Sequence, residues 1–384
     1  MKKFLLIISC IFLFITSVKA ENIVEYSESA ILMEMTTGKI LYEKDADIEK
    51  TPASMTKIMS MILIMEAIEN NNLSMNDDVL ISENASSMGG SQVYLNTGET
   101  YKVKQLLKSI AIASANDAVV AMSEKVAGSV EKFVELMNNK CKDIGCTHTN
   151  FLNPHGLDAE GHYSSARDMA LMGTYLVKNY PDILKFTSIY EDYLDRPDGS
   201  NTWLVNTNKL VRFYDDVDGL KTGFTSTAGY CLTSTAKKNN MRLVGVVMGV
   251  DSPDNRTSDT VKLLNYGFNS YKLSTIYKKN KIIDEVEIEK GKKDSVNIVL
   301  MNDATELLNI NDKNKQYTIN VKIKDIVAPI KIGDKVGTAQ IIDNEGNIVN
   351  EVGITVNENV EKANLWDYFK RNLNINVSGK LLIK

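Results

Sequence analysis

Ser54 and Lys57 stand three residues apart at the head of the run Ser54-Met55-Thr56-Lys57-Ile58-Met59-Ser60-Met61-Ile62-Leu63-Ile64-Met65. Positions i and i+3 share a helix face, so the amine can reach the hydroxyl. The run is apolar almost all round, which predicts a buried helix. Pro52 lies just upstream, where a helix start tolerates it. A lysine in that first turn meets two penalties. The helix dipole disfavours a cation there, and burial disfavours a charge that lacks a partner. A hydroxyl beside an amine forced toward neutrality is a nucleophile–base pair that needs no histidine. The competing account is a lysine whose head snorkels to water from the helix end. The helix alone does not choose between them.

Two further polar islands bear on the choice. Ser114-Ala115-Asn116 interrupts a helical periodicity running from Val103 to Val126. Ser, Asn and Asp draw backbone groups away from helix, so a corner between two helices is predicted there, with side chains projecting from it. Lys221-Thr222-Gly223 lies inside Val217 to Thr225, which reads as a strand. Each island has an ordinary reading by itself: helix caps for Ser114 and Asn116, a solvated strand face for Lys221, a turn for Thr222-Gly223. All three together, in this order and on these elements, favour one site.

The elements that must position them form two blocks. Ala30 to Met35 and Ile40 to Tyr42 predict a hairpin around Gly38. Residues 82–100 are loop-rich, and helices are predicted over Glu131 to Cys141 and Ser165 to Lys178. Strands follow at Val217 to Thr225, Ala228 to Ala236 and Met241 to Val250, then a helix from Thr257 to Tyr271. Strands, helices, then strands again predict one α/β unit with a helical insert, spanning residues 21–275. Beyond it the pattern turns to period two, as in Val286/Ile288, Val296/Ile298/Leu300, Ile319/Val321/Ile323 and Val352/Ile354/Val356. Short alternating strands separated by turn clusters predict a small all-β domain over 276–361, a sandwich or barrel.

The remaining segments concern location. Lys2 and Lys3 precede an apolar stretch from Phe4 to Ile15, and Val18-Lys19-Ala20 offers small residues before a cut. Residues 1–20 therefore read as a signal peptide, too short for a transmembrane helix, and the chain is expected to be exported. The formal net charge is −5, and removing residues 1–20, which carry Lys2, Lys3 and Lys19 and no acid, takes it to −8. Such a surface argues against nucleic acid as a partner. Residues 362–384 carry Leu365, Trp366, Phe369 and Leu373 beside Lys370, Arg371 and Lys380. That tail reads either as an interfacial amphipathic helix on a membrane or as a helix docked on its own domain. Cys10 leaves with the leader; Cys141, Cys146 and Cys231 remain, an odd number and no disulfide framework. Cys141 and Cys146 can pair if Gly145 ends the preceding helix and turns the chain; free thiols are the alternative, and Cys231 reads as a buried strand residue.

Beside these residues the chain resembles a known family, the serine-type D-alanyl-D-alanine carboxypeptidases, which are low-molecular-mass penicillin-binding proteins. The matching segments are Pro52-Ala53-Ser54-Met55-Thr56-Lys57, Gly89-Gly90-Ser91-Gln92, Ala113-Ser114-Ala115-Asn116-Asp117-Ala118, Asn153-Pro154-His155-Gly156-Leu157 and Asp218-Gly219-Leu220-Lys221-Thr222-Gly223-Phe224-Thr225. The resemblance implies a β-lactamase/transpeptidase-like α/β catalytic domain, with an antiparallel sheet and a helical subdomain, followed by the β-rich domain. It implies peptidoglycan stem peptides ending in D-Ala-D-Ala as substrate, β-lactams as covalent inhibitors, and no cofactor or metal.

Roles then follow residue by residue as expectations. Ser54 attacks the carbonyl between the two D-alanines and Lys57 takes its proton. Lys221 is the nearby cation that helps keep Lys57 neutral. Ser114 relays a proton to the leaving amine, and Asn116 binds the peptide or orients Lys57. By the family's matching positions, the N–H groups of Ser54 and Phe224 form the oxyanion hole, where losing one donor typically costs about 10²–10³ in rate. Gly223 leaves the strand edge open for a peptide to pair as an added strand. Lys221, Thr222, Thr225 and, through a variable loop, Arg256 serve the terminal carboxylate.

Rival readings are fewer. His148, His155 and His162 near Cys141, Cys146 and Asp158 raise zinc, but their spacing matches no zinc pattern. A serine β-lactamase shares the three islands, yet class A enzymes use a Glu for deacylation, and no Glu-x-x-Leu-Asn occurs over residues 150–175. A DD-endopeptidase acting on cross-links uses the same machinery, and a wall-binding protein with a decayed site would not keep the islands intact.

Overall fold

The structure, a computed structural model, describes residues 22–312 and 315–370. The expected leader and the end of the tail, 371–384, lie outside the described residues.

A strand that alternates apolar residues on both faces must be covered on both sides. β1 (Ser29–Glu34) is such a strand, with all six residues buried. It turns through Gly38, at φ 71°, into β2 (Ile40–Lys44), the expected hairpin. Much later in the chain come β3 (Val217–Thr225), β4 (Gly229–Lys238) and β5 (Met241–Val250). The five pair antiparallel in the order β2-β1-β5-β4-β3, so β5 is central, β1 is interior beside it, and β3, which carries Lys221, is an edge. Between β2 and β3 the helical insert supplies α1 (Lys57–Glu69), α2 (Val103–Ala113), α3 (Asn116–Ala127), α4 (Val130–Ile144) and α5 (Ala166–Asn179); α6 (Pro253–Ser270) follows β5.

The two sheet faces have separate cores. Ile31, Met33, Val244, Val246 and Met248 pack on the insert side with α1 and its neighbours. Ala30, Leu32, Leu243 and Val247 pack on the other side with Leu263 and Leu264 of α6. Every residue of α1 from Lys57 to Met65 is buried, as its apolar circumference requires.

Two boundaries differ from expectation. α6 starts at Pro253 rather than Thr257, because Ser252 caps it by accepting from the Asn255 N–H at 3.2 Å and Pro253 takes the first turn. The helix expected from Ser54 begins instead with a tight 3₁₀ turn, Ala53–Thr56, and α1 proper starts at Lys57.

After α6 the chain becomes all-β. β6 (Tyr271–Tyr277) pairs with β9 (Ala304–Asn309), once β7 (Ile282–Glu287) and β8 (Ser295–Leu300) have intervened. Leu273 and Leu307 of that pair join the α6 core, so β6 and β9 bridge the two blocks. β10 (Tyr317–Ile323), β11 (Gly337–Asp343) and β12 (Ile348–Val356) complete a five-stranded sheet ordered β7-β8-β12-β11-β10. Its core holds the expected Val296, Ile298, Leu300, Val352, Ile354 and Val356. Ile323, expected in the same pattern, is 42% exposed, because it ends the edge strand β10.

Candidate active site

The turn that carries Ser54 is pinched from two sides. Ala53 enters it at φ 47°, a conformation that costs a non-glycine residue about 1 kcal/mol or more. A Cβ at Gly156 would lie 1.9 Å from the Ala53 carbonyl oxygen, and one at Gly223 would lie 2.6 Å from the Pro52 oxygen. Glycine at both positions lets a loop and the β3 strand close on the turn. For Gly223 this differs from the expected reason, since the space is taken by the turn of Ser54 rather than left for a peptide.

The buried helix start then aims Lys57 at its partners. Its Nζ lies 3.0 Å from Ser54 Oγ, 2.6 Å from Asn116 Oδ1 and 2.7 Å from the carbonyl oxygen of His155. Asn116 is oriented by its other end, where Nδ2 donates to the Gly89 carbonyl at 2.7 Å. The Asn116 and His155 oxygens can only accept, so a neutral amine here would give them its two N–H bonds. Its lone pair would then be left for Ser54, whose hydroxyl would donate to it; a charged amine would instead donate to Ser54. Burial first, and the charge of Lys221 second, hold Lys57 well below the ordinary lysine range, with Asp117 pulling the other way. The snorkelling account is therefore not what the fold adopts: Lys57 is wholly buried.

Asp117 explains why Asn116 sits where it does. Its buried carboxylate accepts the N–H groups of Val93, Leu95 and Ala118, tying the α3 start to the segment after Gly89-Gly90. The Asn116 N–H donates to the Ser91 carbonyl at 2.7 Å. Ser114 forms the predicted corner, at φ 64° between α2 and α3, and its buried Oγ has no partner among the described residues.

Across the site, Lys221 is 1% exposed and, among the described residues, donates only to the Thr222 carbonyl, at 3.1 Å. Burial, then the nearby Arg256 guanidinium, push its amine down to about 7. Arg256, in the first turn of α6, is itself buried, and its Nε has no partner among the described residues. The Thr222 hydroxyl donates to Thr207 at 2.7 Å. Thr225 is turned away, donating to Asp158 at 2.9 Å and accepting from the Ala228 N–H. Phe224 is half exposed and stacked on Tyr230 at 4.3 Å.

Ser54, Lys57 and Asn116 thus converge, Lys221 is near enough for its charge to act on Lys57 and Arg256 near enough to act on Lys221, while Ser114 sits two residues before Asn116 at the helix corner. The sequence reading missed the His155 carbonyl, the Gly89 carbonyl and Thr207; Asn153-Pro154-His155-Gly156 and Gly89-Gly90 were the signals available. His162 is engaged at both ring nitrogens. Nδ1 accepts from the Leu152 N–H at 3.0 Å, so Nε2 carries the proton and donates to Thr56 at 2.9 Å. His155 spends Nδ1 on the Leu157 N–H.

The chain is similar to known proteins over nearly its whole length. The family described as D-alanyl-D-alanine carboxypeptidase matches residues 16–252, and the C-terminal domain of penicillin-binding protein 5 matches 271–362. The D-alanyl-D-alanine carboxypeptidase DacF of Bacillus subtilis is 44% identical, over 92% of this chain and 91% of that protein. Penicillin-binding protein 5 from Haemophilus influenzae superposes with a TM-score of 0.73 at 30% identity, covering 88% of this chain and 98% of that one. Penicillin-binding protein D2 from Listeria monocytogenes, solved with ampicillin bound, is 31% identical with a TM-score of 0.57, over 63% of this chain and 97% of that one. By sequence, by its α/β catalytic domain and by its all-β C-terminal domain, the chain belongs to the D-alanyl-D-alanine carboxypeptidase family of peptidases S11, which are penicillin-binding proteins.

Proposed function

We propose that the chain removes the terminal D-alanine from peptidoglycan pentapeptides through an acyl-enzyme on Ser54. The observation that carries this is a wholly buried lysine whose amine lies 3.0 Å from Ser54 Oγ and is held there by the Asn116 and His155 oxygens. Ser54 Oγ attacks the carbonyl between the D-alanines while Lys57 accepts its proton. The N–H groups of Ser54 and Phe224 steady the oxyanion. Ser114, whose hydroxyl is buried and free, hands a proton to the departing D-alanine amine. Water then releases the shortened peptide from Ser54.

Lys221, Thr222 and Arg256 receive the terminal carboxylate. A buried lysine titrating near neutrality beside a buried guanidinium, with no ion pair to either among the described residues, suits an anion. Thr225, engaged with Asp158, joins this set only by rotating. β-Lactams acylate the same serine, as the ampicillin-bound relative suggests by analogy. The all-β extension and the lack of a Glu-x-x-Leu-Asn motif speak for slow deacylation.

Residues 1–20 act as a leader that exports the chain to the outer face of the membrane, 21–275 form the catalytic unit and 276–361 the β-rich one. Residues 362–384 anchor it to that surface. In the described part of this tail, helical residues 365–370, Leu365 is 89%, Trp366 68% and Phe369 53% exposed, a bare apolar face of the kind interfaces take up.

The test is D-alanine release from a pentapeptide ending in D-Ala-D-Ala, run beside labelling with fluorescent penicillin. Ser54→Ala is expected to abolish both. Lys57→Ala is expected to do the same with the fold intact by circular dichroism; unchanged labelling would remove Lys57 as the base.

A further inference from the structure

α4 ends in a turn that brings two particular side chains together. Gly145 has φ 96°, and its N–H donates to the Lys142 carbonyl at 3.0 Å. The next N–H, of Cys146, closes a wider bond onto the Cys141 carbonyl at 2.9 Å. This is the Schellman arrangement, in which the side chains at the two ends of the wider bond meet, usually as an apolar contact. Here both are cysteine, both are free thiols, and both belong to the same packed core, Cys141 inside it and Cys146 against it. Cys141 is 2% exposed and Cys146 is half-buried. Cys231, fully buried in β4, directs its Sγ at the Ala228 carbonyl.

The chain that leaves Cys146 runs to the catalytic lysine. The N–H groups of Thr147 and His148 donate to the Asp168 carboxylate in the first turn of α5, at 3.3 and 2.7 Å. Farther along the same segment, the Pro154 carbonyl accepts from Ser60 and the His155 carbonyl accepts from Lys57.

We propose that Cys141 and Cys146 are a redox pair whose disulfide staples the end of α4 to the root of the segment that carries His155. The co-reactant is a disulfide, either small or on an exported thiol oxidase. The more accessible Cys146 thiolate attacks one sulfur of that disulfide and expels a thiol. Cys141, as thiolate, then displaces the second thiol and closes the Cys141–Cys146 bond. Two protons and two electrons leave the pair, and the oxidant disulfide becomes two thiols. Contact with Cys141 and burial hold the Cys146 thiol well above its ordinary range. Attack by Cys146 is therefore expected to be faster in alkali than at neutral pH. Its occupancy in the cell rests on the export reading; its formation by the purified chain does not.

The experiment equilibrates the folded full chain in reduced/oxidised glutathione buffers, blocks free thiols with iodoacetamide and digests with trypsin. Cleavage after Lys140, Lys142 and Arg167 separates Cys141 from Cys146 unless they are bonded, so the linked peptide is the direct readout. It is expected to appear in oxidising buffer, with Cys231 alkylated only after unfolding. The oxidised chain is expected to melt about 4–8 °C above the reduced one, and Cys146→Ser and Cys146→Ala to erase that difference. Penicillin-labelling rates are expected to agree within about twofold in the two redox states. No linked peptide under oxidising conditions, linkage only after denaturation, or a tenfold loss of labelling on oxidation would each overturn the proposal.

Discussion

Lysines in the two domains meet opposite fates. In the β-rich domain Lys292, Lys293 and Lys315 pair with Glu361, Glu358 and Glu306. The hydrogen bond to Glu361 holds Lys292 above its ordinary range, and that to Glu306 does the same for Lys315. In the catalytic domain Lys57 and Lys221 are buried and meet only neutral oxygens, and both are held below the ordinary range. What suits these two lysines to the roles proposed for them, base and carboxylate receptor, is what is withheld from them. Water is excluded and no carboxylate is supplied, so the neutral form is favoured. The nearest acid, Asp117, spends its oxygens on the backbone N–H groups of Val93, Leu95 and Ala118.

Giving Lys57 the partner that the β-domain lysines have is the strongest way to break this contrast. Asn116→Asp places a carboxylate where the amide oxygen now sits 2.6 Å from Nζ. The anion favours the ammonium, so Lys57 rises toward or above its ordinary range and is protonated at neutral pH. Penicillin labelling at pH 7 is expected to fall by about 10²–10⁴, the usual worth of a general base. It should recover part of the way as pH rises through the new value, while Asn116→Ala, which adds no charge, should not show that alkaline recovery. Equal pH profiles for the two variants would show that Asn116 acts only by packing.

How much of this was legible beforehand follows from which interactions are local. Ser54 and Lys57 are i and i+3, and the corner at Ser114-Ala115-Asn116 breaks a periodicity, so both could be read from the chain. The β3 strand, the two blocks and the alternating core of the β-rich domain rest on period and turn residues, and those were legible too. The carbonyl of His155 was not, because a backbone oxygen leaves no mark in residue type and only folding brings it to Lys57. Gly223 was recognised for a different reason from the one the packing gives, because a missing side chain does not say which neighbour needs the space. Ile323 follows the strand pattern yet is exposed, since its position at the end of an edge strand is a fact of topology.

A smaller effect sharpens the comparison through stability. Lys221 titrates near 7 in the fold and near 10.4 in the unfolded chain. Between those values the unfolded state binds more protons than the folded state, so stability rises with pH. Lys221→Met removes the group and with it that slope. The wild type minus variant stability, from urea melts at pH 7, 8 and 9, is expected to climb by up to about 1.4 kcal/mol per pH unit. A flat difference would mean that Lys221 keeps its charge when buried, held by an anion or water.

The smallest effect tests the other half of the contrast. Lys292 and Lys293 are largely exposed, and so are their partners Glu361 and Glu358. Exposed pairs of this kind contribute little, because water already solvates both charges and salt screens them. Lys292→Met and Lys293→Met are therefore expected to shift the melting temperature by no more than about 2 °C and to leave penicillin labelling unchanged. That small shift should vanish in 0.5 M salt, whereas the pH slope attributed to buried Lys221 should persist there, because mobile ions screen exposed charges far more than buried ones. If high salt flattened the Lys221 slope as well, water would have to reach that amine, and the contrast between withheld and supplied partners would reduce to a difference in degree.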